Sequence, residues 1–153
     1  MRIRVLCLGN DLLADDALGP EVAAGLRRAL PRDVEVVSSG VSGMWLLDEV
    51  VDATHLLVVD TVRTDGGTPG AVRRLREEDF GGASPGGSPH YVGLFDVLRL
   101  GRSLGLAVPS EVTILAVEAA DVLTVGGGMH PEVRAAIPAV LGSACEVVGA
   151  WRS

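Results

Sequence analysis

The chain has 153 residues, 48% of them hydrophobic, and a formal net charge of −7. That length suits one globular domain over residues 1–153 with a sizeable core, and the charge disfavours nucleic acid and anionic membranes as partners. All thirteen basic residues are arginines, which excludes Schiff-base chemistry on a lysine and a P-loop lysine.

The opening MRIRVLCLG has an apolar run too short for a signal peptide and far short of the roughly 20 residues of a membrane span, so a cytoplasmic protein is expected. Cys7 and Cys145 are isolated thiols with no CxxC spacing, and Cys7 reads as inert packing within an apolar strand. Arg2 to Leu8 is that strand, apolar on both faces in its later half and therefore central. Pro20 at a first helical position, with Val22, Leu26 and Leu30 at helical spacing, predicts a helix to about Leu30. Val34 to Val37 is a second strand, and Ser42 is placed to cap a helix carrying Leu46, Leu47 and Val50. Leu56 to Val59 reads as a buried strand that ends at Asp60.

The stretch Thr64 to Gly70 is turn chemistry, and Ala71 to Leu75 a short edge strand. A Gly/Ser/Pro-rich loop runs from Gly81 to His90. A helix from Val92 to about Leu104 stops at Gly105, and Val112 to Val117 is another central-type strand. After the loop TVGGGMHP, Pro131 starts a helix with Val133, Ile137, Val140, Leu141, Ala144 and Val148 on one stripe. Pro138 is expected to kink it or to split off its first turn. The alternation of strands and helices predicts an α/β layered fold without repeats.

Familiar catalytic patterns mostly fail. There is no GxGxxG, no GxxxxGK[ST] and no HExxH. GxSxG occurs once, at Gly82 to Gly86, but a nucleophile elbow needs a strand before it and a helix directly after, and here the flanks are glycine and proline. What remains is positional, because ligands of open α/β sheets bind outside the carboxyl ends of the strands. Asn10 to Asp16 follows the first strand, Asp60 ends the LLVVD strand, and His90 closes the glycine-rich loop. Two carboxylates and an imidazole suit a divalent first-row metal and leave positions open for a substrate atom. Each residue also has a plainer reading. Asp16 favours the positive end of the adjacent helix, Asp60 caps a turn, and His90 is a solvated loop histidine. His55 and His130 read as structural.

The ordered set LCLGNDLLADDALGPEV, GVSGMWLLD, LLVVDTV, SPHYVGLFDVL and VGGGMHPEVRAAIPAVL resembles the [NiFe]-hydrogenase maturation proteases, and it covers nearly the whole chain. The resemblance implies a three-layer α/β/α sandwich around a twisted, mostly parallel five-stranded sheet. It implies an aspartic-type endopeptidase that removes the C-terminal extension of the hydrogenase large-subunit precursor after nickel insertion. The family's three metal contacts fall on Asp16, Asp60 and His90, with Asp16 and Asp60 also the candidate catalytic carboxylates. Asn10, Gly40 and Gly43 fall at substrate-contacting turns. On this reading no cofactor is permanently bound, nickel belongs to the precursor, and the enzyme is a cytoplasmic monomer.

One turn departs from the family pattern. Where many members have a D-G-G-T-x-G-like sequence, this chain has Ser38-Ser39-Gly40-Val41-Ser42-Gly43, lacking both carboxylate and threonine; Ser38 would preserve a hydrogen bond but not a charge. That change leaves a second reading, a divergent module that binds the precursor without cutting it. A third, a small-molecule hydrolase using the same strand-end pocket, lacks a nucleophile, base and orienting group in any recognisable set.

Overall fold

The computed structural model describes the backbone of residues 1–80 and 89–153, and the side chains of residues 1–79 and 94–153. Five strands form one sheet: β1 (Ile3–Leu8), β2 (Glu35–Ser39), β3 (His55–Val62), β4 (Val72–Arg76) and β5 (Glu111–Glu118). Their spatial order is β2-β1-β3-β5-β4. The first four in that order run parallel, and β4 closes the edge antiparallel to β5. The helices are α1 (Leu18–Ala29), α2 (Leu46–Val50), α3 (Pro89–Ser103) and α4 (Pro131–Arg152).

The two-residue period of a strand sorts the interior strands into two cores. Ile3, Val5, Cys7, Leu57, Val59, Leu115 and Val117 pack against Leu18, Val22 and Leu26 of α1 and Val133, Val140, Ala144 and Val148 of α4. Leu6, Leu8, Leu56, Val58, Ile114 and Ala116 face the other way, onto Leu46 and Val50 of α2 and Leu94, Val97 and Leu98 of α3. Burial on both faces is why β1, β3 and β5 are nearly continuous apolar runs. The result is the three-layer α/β/α arrangement with a mostly parallel five-stranded sheet. Cys7 is fully buried, and burial pushes its thiol up to about 12, so it is packing and not a nucleophile.

Several boundaries differ from the sequence reading, each for a visible reason. β3 does not stop at Asp60 but continues to Val62, because Thr61 and Val62 still pair with Val117 and Glu118 of β5. Asp60 is thus a residue within a strand and not the cap of a turn. α1 begins at Leu18, directly after a 3-10 turn at Ala14–Ala17, and so Pro20 falls inside its first turn, where its missing N–H is no loss. Ser42 makes no capping bond; the chain enters α2 through a 3-10 turn at Gly43–Trp45 instead. α3 starts at Pro89, with proline at its first position, and this puts His90 on the helix and not in the loop. α4 runs unbroken through Pro138, whose side and that of Arg134, four residues earlier, are exposed, so water can satisfy the carbonyl that proline leaves unpaired. The segment 81–88, with the GxSxG match, lies outside the described residues.

Two glycines let β1 approach the helix that follows it. A Cβ on Gly19 would stand 2.2 Å from the Leu8 carbonyl oxygen, and one on Gly9 would stand 2.1 Å from that of Asp16. Gly142, on α4, has nothing within 4 Å of the same position. Gly19→Ala is expected to lower unfolding free energy by about 1–3 kcal/mol, as overpacking does. Gly142→Ala is expected to be neutral or to raise it by up to about 1 kcal/mol through helix propensity. Urea unfolding of the two variants checks the contrast.

Candidate active site at the carboxyl edge of the sheet

The site is built from the connection between β1 and α1. Gly9 leaves the strand at φ +153°, a conformation and a proximity that only glycine tolerates, and donates its N–H to the Ser39 carbonyl at 3.0 Å. Asn10 then makes an Asx turn, its Oδ1 accepting the Leu12 N–H at 2.9 Å. The Asn10 N–H turns inward and donates to Asp16 Oδ2 at 2.8 Å. Asn10, expected at a substrate turn, is therefore first of all the residue that orients Asp16.

Asp15 and Asp16 diverge completely. Asp15 is fully buried, and its carboxylate accepts the backbone N–H groups of Ala120, Asp121 and His130 at 2.8, 2.9 and 2.7 Å. His130 adds its Nδ1 at 3.2 Å. Burial alone would raise the Asp15 pKa, but the hydrogen bonds from His130, Asp121 and Ala120 outweigh it and hold the carboxyl below the ordinary value. Asp15 therefore fastens the 3-10 turn to the glycine-rich loop after β5, and His130 is structural as expected. The Asp15 N–H also donates to the Asp121 carbonyl at 2.9 Å, and Leu13 bridges to Val125.

Asp16, half-buried, faces the end of β3. Its Oδ1 accepts the Thr61 hydroxyl at 3.0 Å, while the Thr61 N–H donates to Asp60 Oδ1 at 2.8 Å. Asp60 is fully buried. One residue thus joins the two carboxylates that sequence reasoning selected. Asp60 follows Val59, which pairs with Cys7 near the end of β1, so the pair lies where that strand gives way to its loop. Among the described residues no cluster of three or more His, Cys, Asp or Glu gathers at metal-holding distance. The side chain of His90, the third expected contact, lies outside the described residues. Its backbone is the second residue of α3, on the sheet face to which Leu56, Val58 and Asp60 belong by alternation.

The turn after β2 borders this region. A Cβ on Gly40 would stand 3.4 Å from the Gly9 carbonyl oxygen, and Gly43 has φ +61°. Ser38 is exposed; the hydroxyl that organises the turn belongs to Ser39, which accepts the Val41 N–H at 3.3 Å and donates to Glu49 at 3.1 Å. The hydrogen bond expected of Ser38 is thus made one residue later. On the far side, Glu118 is buried and accepts both the N–H and the hydroxyl of Thr64. A Cβ on Gly67 would collide with that carboxylate. Arg63, Thr64, Gly67, Ala119 and Ala120 line an open cleft there.

Neither Asp15 nor Thr61 was chosen as functional from the sequence. Thr61 carried a weak signal, a polar residue directly after Asp60 inside an otherwise apolar strand. Adjacency to Asp16 pointed Asp15 elsewhere, and it does point elsewhere; its partners across the loop after β5 carry no local signal.

An α/β/α sandwich with two carboxyl groups gathered at the carboxyl edge of its parallel strands places them where proteins of this architecture receive their ligands. The family model described as "Hydrogenase maturation protease" matches residues 20–147. The chain is 35% identical over 144 residues to the hydrogenase 2 maturation protease of Escherichia coli strain K12, covering 92% of this chain and 87% of that protein. It is 31% identical to the hydrogenase expression/formation protein HupD of Rhodobacter capsulatus, over 98% of this chain and 72% of that one. The solved structure of the hydrogenase maturating endopeptidase HybD from Escherichia coli superposes with a TM-score of 0.82 at 33% identity, covering 97% and 92% of the two chains. The chain belongs to the hydrogenase maturation protease family and is a peptidase. The similarity over the sheet and its helices bears out the α/β sandwich and the mostly parallel sheet.

Because a carboxylate held below its usual pKa stabilises the fold above that pKa, the contribution of Asp15 is present at neutral pH. It is lost as pH falls through the lowered value. Asp15→Asn is expected to cost roughly 2–3 kcal/mol at pH 7, and the gap to wild type should narrow in acid below the ordinary carboxylate range. Denaturant unfolding at pH 7 and pH 3 checks both the size and the sign.

Proposed function

We propose that the chain removes the C-terminal extension of a [NiFe]-hydrogenase large-subunit precursor once nickel has been inserted, acting as a cytoplasmic monomer. The observation that carries this reading is the Thr61-bridged pair of Asp16 and Asp60 at the carboxyl edge of the sheet. A carboxylate oxygen accepts through more than one lone pair, so a bonded aspartate can still take a cation. Asp16 and Asp60 supply two oxygen contacts to the precursor's nickel and His90 a nitrogen contact. Nickel is part of the substrate, and the protein holds no cofactor of its own.

Three contacts leave the metal its bonds to the precursor, so metal and neighbouring peptide arrive as one unit. That proximity turns a weak general peptidase into a selective one. A carboxylate of the pair can take a proton from the attacking water, and nickel can polarise the scissile carbonyl. Hydrolysis breaks one peptide C–N bond, with water supplying hydroxyl to the new carboxyl end and a proton to the leaving amine. Asn10 and the turn at Gly40 and Gly43 border the same edge and serve to guide the peptide. The rival reading, binding without cleavage, rests on the exposed Ser38 where family members carry a carboxylate.

Mass spectrometry of precursor incubated with the protein separates these readings. A shortened product from nickel-loaded precursor and none from the nickel-free form is expected; equal processing of both forms contradicts nickel recognition, and an intact loaded precursor contradicts peptidase action on it. His90→Ala should slow processing by at least about tenfold, and a wild-type rate would remove His90 from the contact set.

A further inference from the structure

We infer that Thr61 is a positioning residue that sets the placement of the Asp16 carboxylate relative to Asp60, and so tunes the affinity of the pair for a divalent cation. This rests on the nickel-reading function above, but its geometry is independent of it. Alternation along β3 turns the Thr61 side chain away from that of Asp60. Only the Thr61 backbone N–H returns to Asp60, reaching Oδ1 at 2.8 Å, while the hydroxyl reaches Asp16 Oδ1 at 3.0 Å. One residue therefore serves both carboxylates, one through its main chain and one through its side chain.

The clamp on Asp16 is two-sided. The Thr61 hydroxyl binds Oδ1 and the Asn10 N–H binds Oδ2 at 2.8 Å, so both ends of the carboxylate plane are fixed. Thr61 is 5% exposed, which leaves little room for water to replace the hydroxyl. Its β-branched side chain restricts rotation about the first side-chain bond and keeps the oxygen aimed. An ionised carboxylate only accepts, so the single hydroxyl proton of Thr61 is committed to Asp16. Both oxygens of Asp16 keep acceptor capacity for a cation. Partners of this kind commonly change metal affinity or activity by roughly ten- to a hundredfold when removed.

Thr61→Val keeps the shape and strand preference and removes only the donor; Thr61→Ser restores it. Calorimetric titration with Ni2+ and processing of the nickel-loaded precursor are measured on the full chain for wild type and both variants, with thermal unfolding as a control of the fold. The valine variant should bind Ni2+ and process precursor about tenfold less well than wild type, with the serine variant recovering most of the loss. If valine unfolds the protein, the pair Thr61→Ser and Thr61→Ala, which differ by one hydroxyl, makes the same comparison. Wild-type Ni2+ affinity and processing in the folded variant without the hydroxyl would overturn the proposal. If the wild-type protein leaves the loaded precursor intact while loss of the hydroxyl still weakens Ni2+ binding, the proposed processing of the nickel-loaded precursor falls and the positioning role stands.

Discussion

The close approach of the end of β1 to the turn that follows it governs the rest of this molecule. Gly9 and Gly19 let the Asp16 and Leu8 carbonyls come where any Cβ would collide. That contact folds ten residues into a tight return, seats α1 on the sheet, and delivers Asp16 back to the strand end. Without it the Asn10 N–H and the Thr61 hydroxyl would have no common carboxylate to meet. The same turn is anchored from outside by Asp15, whose buried charge gathers three N–H groups of the loop after β5 and of the start of α4. Two adjacent aspartates thus divide two tasks: Asp15 holds the scaffold, and Asp16 faces the end of β3.

The layout also fixes where a ligand can be received. The sheet is closed off on both faces by α1 and α4 and by α2 and α3, which leaves the carboxyl edge as the natural place for a ligand. Two carboxyl groups joined by a single threonine make a tightly held pair at that edge. The changed turn after β2, with Ser38 in place of the family's carboxylate and Ser39 bonding Val41 and Glu49, alters the rim and leaves the pair untouched.

Much of this was legible in the sequence, for physical reasons that differ by element. The apolar runs LCL, LLVV and ILAV announced strands buried on both faces, and the stripe on α4 announced its packing. Helix and strand limits were less legible where distant partners decide them. β3 outran its apolar run because β5 offered continued pairing, and α4 continued past Pro138 on a face open to water. Asp60 could be selected because a carboxylate straight after four apolar residues needs a partner, and Asp16 because it follows the first strand at the edge where ligands bind. That the partner common to both would be Thr61 depended on its hydroxyl meeting a residue 45 positions away while its N–H turned to its neighbour, which no local pattern encodes. The family resemblance supplied the order of the motifs and the choice of Asp16 over Asp15, but not that Asp15 ties the turn to the loop after β5.

The central claim is that the precursor's nickel is met by oxygen and nitrogen atoms of this chain. Nickel-edge X-ray absorption of the loaded precursor, recorded alone and rapidly frozen with the protein, tests it directly. The account predicts that oxygen or nitrogen neighbours are gained in the complex, and that the gain is lost with Asp16→Ala. A nickel environment identical with and without the protein, in a sample where the two are bound, would contradict it.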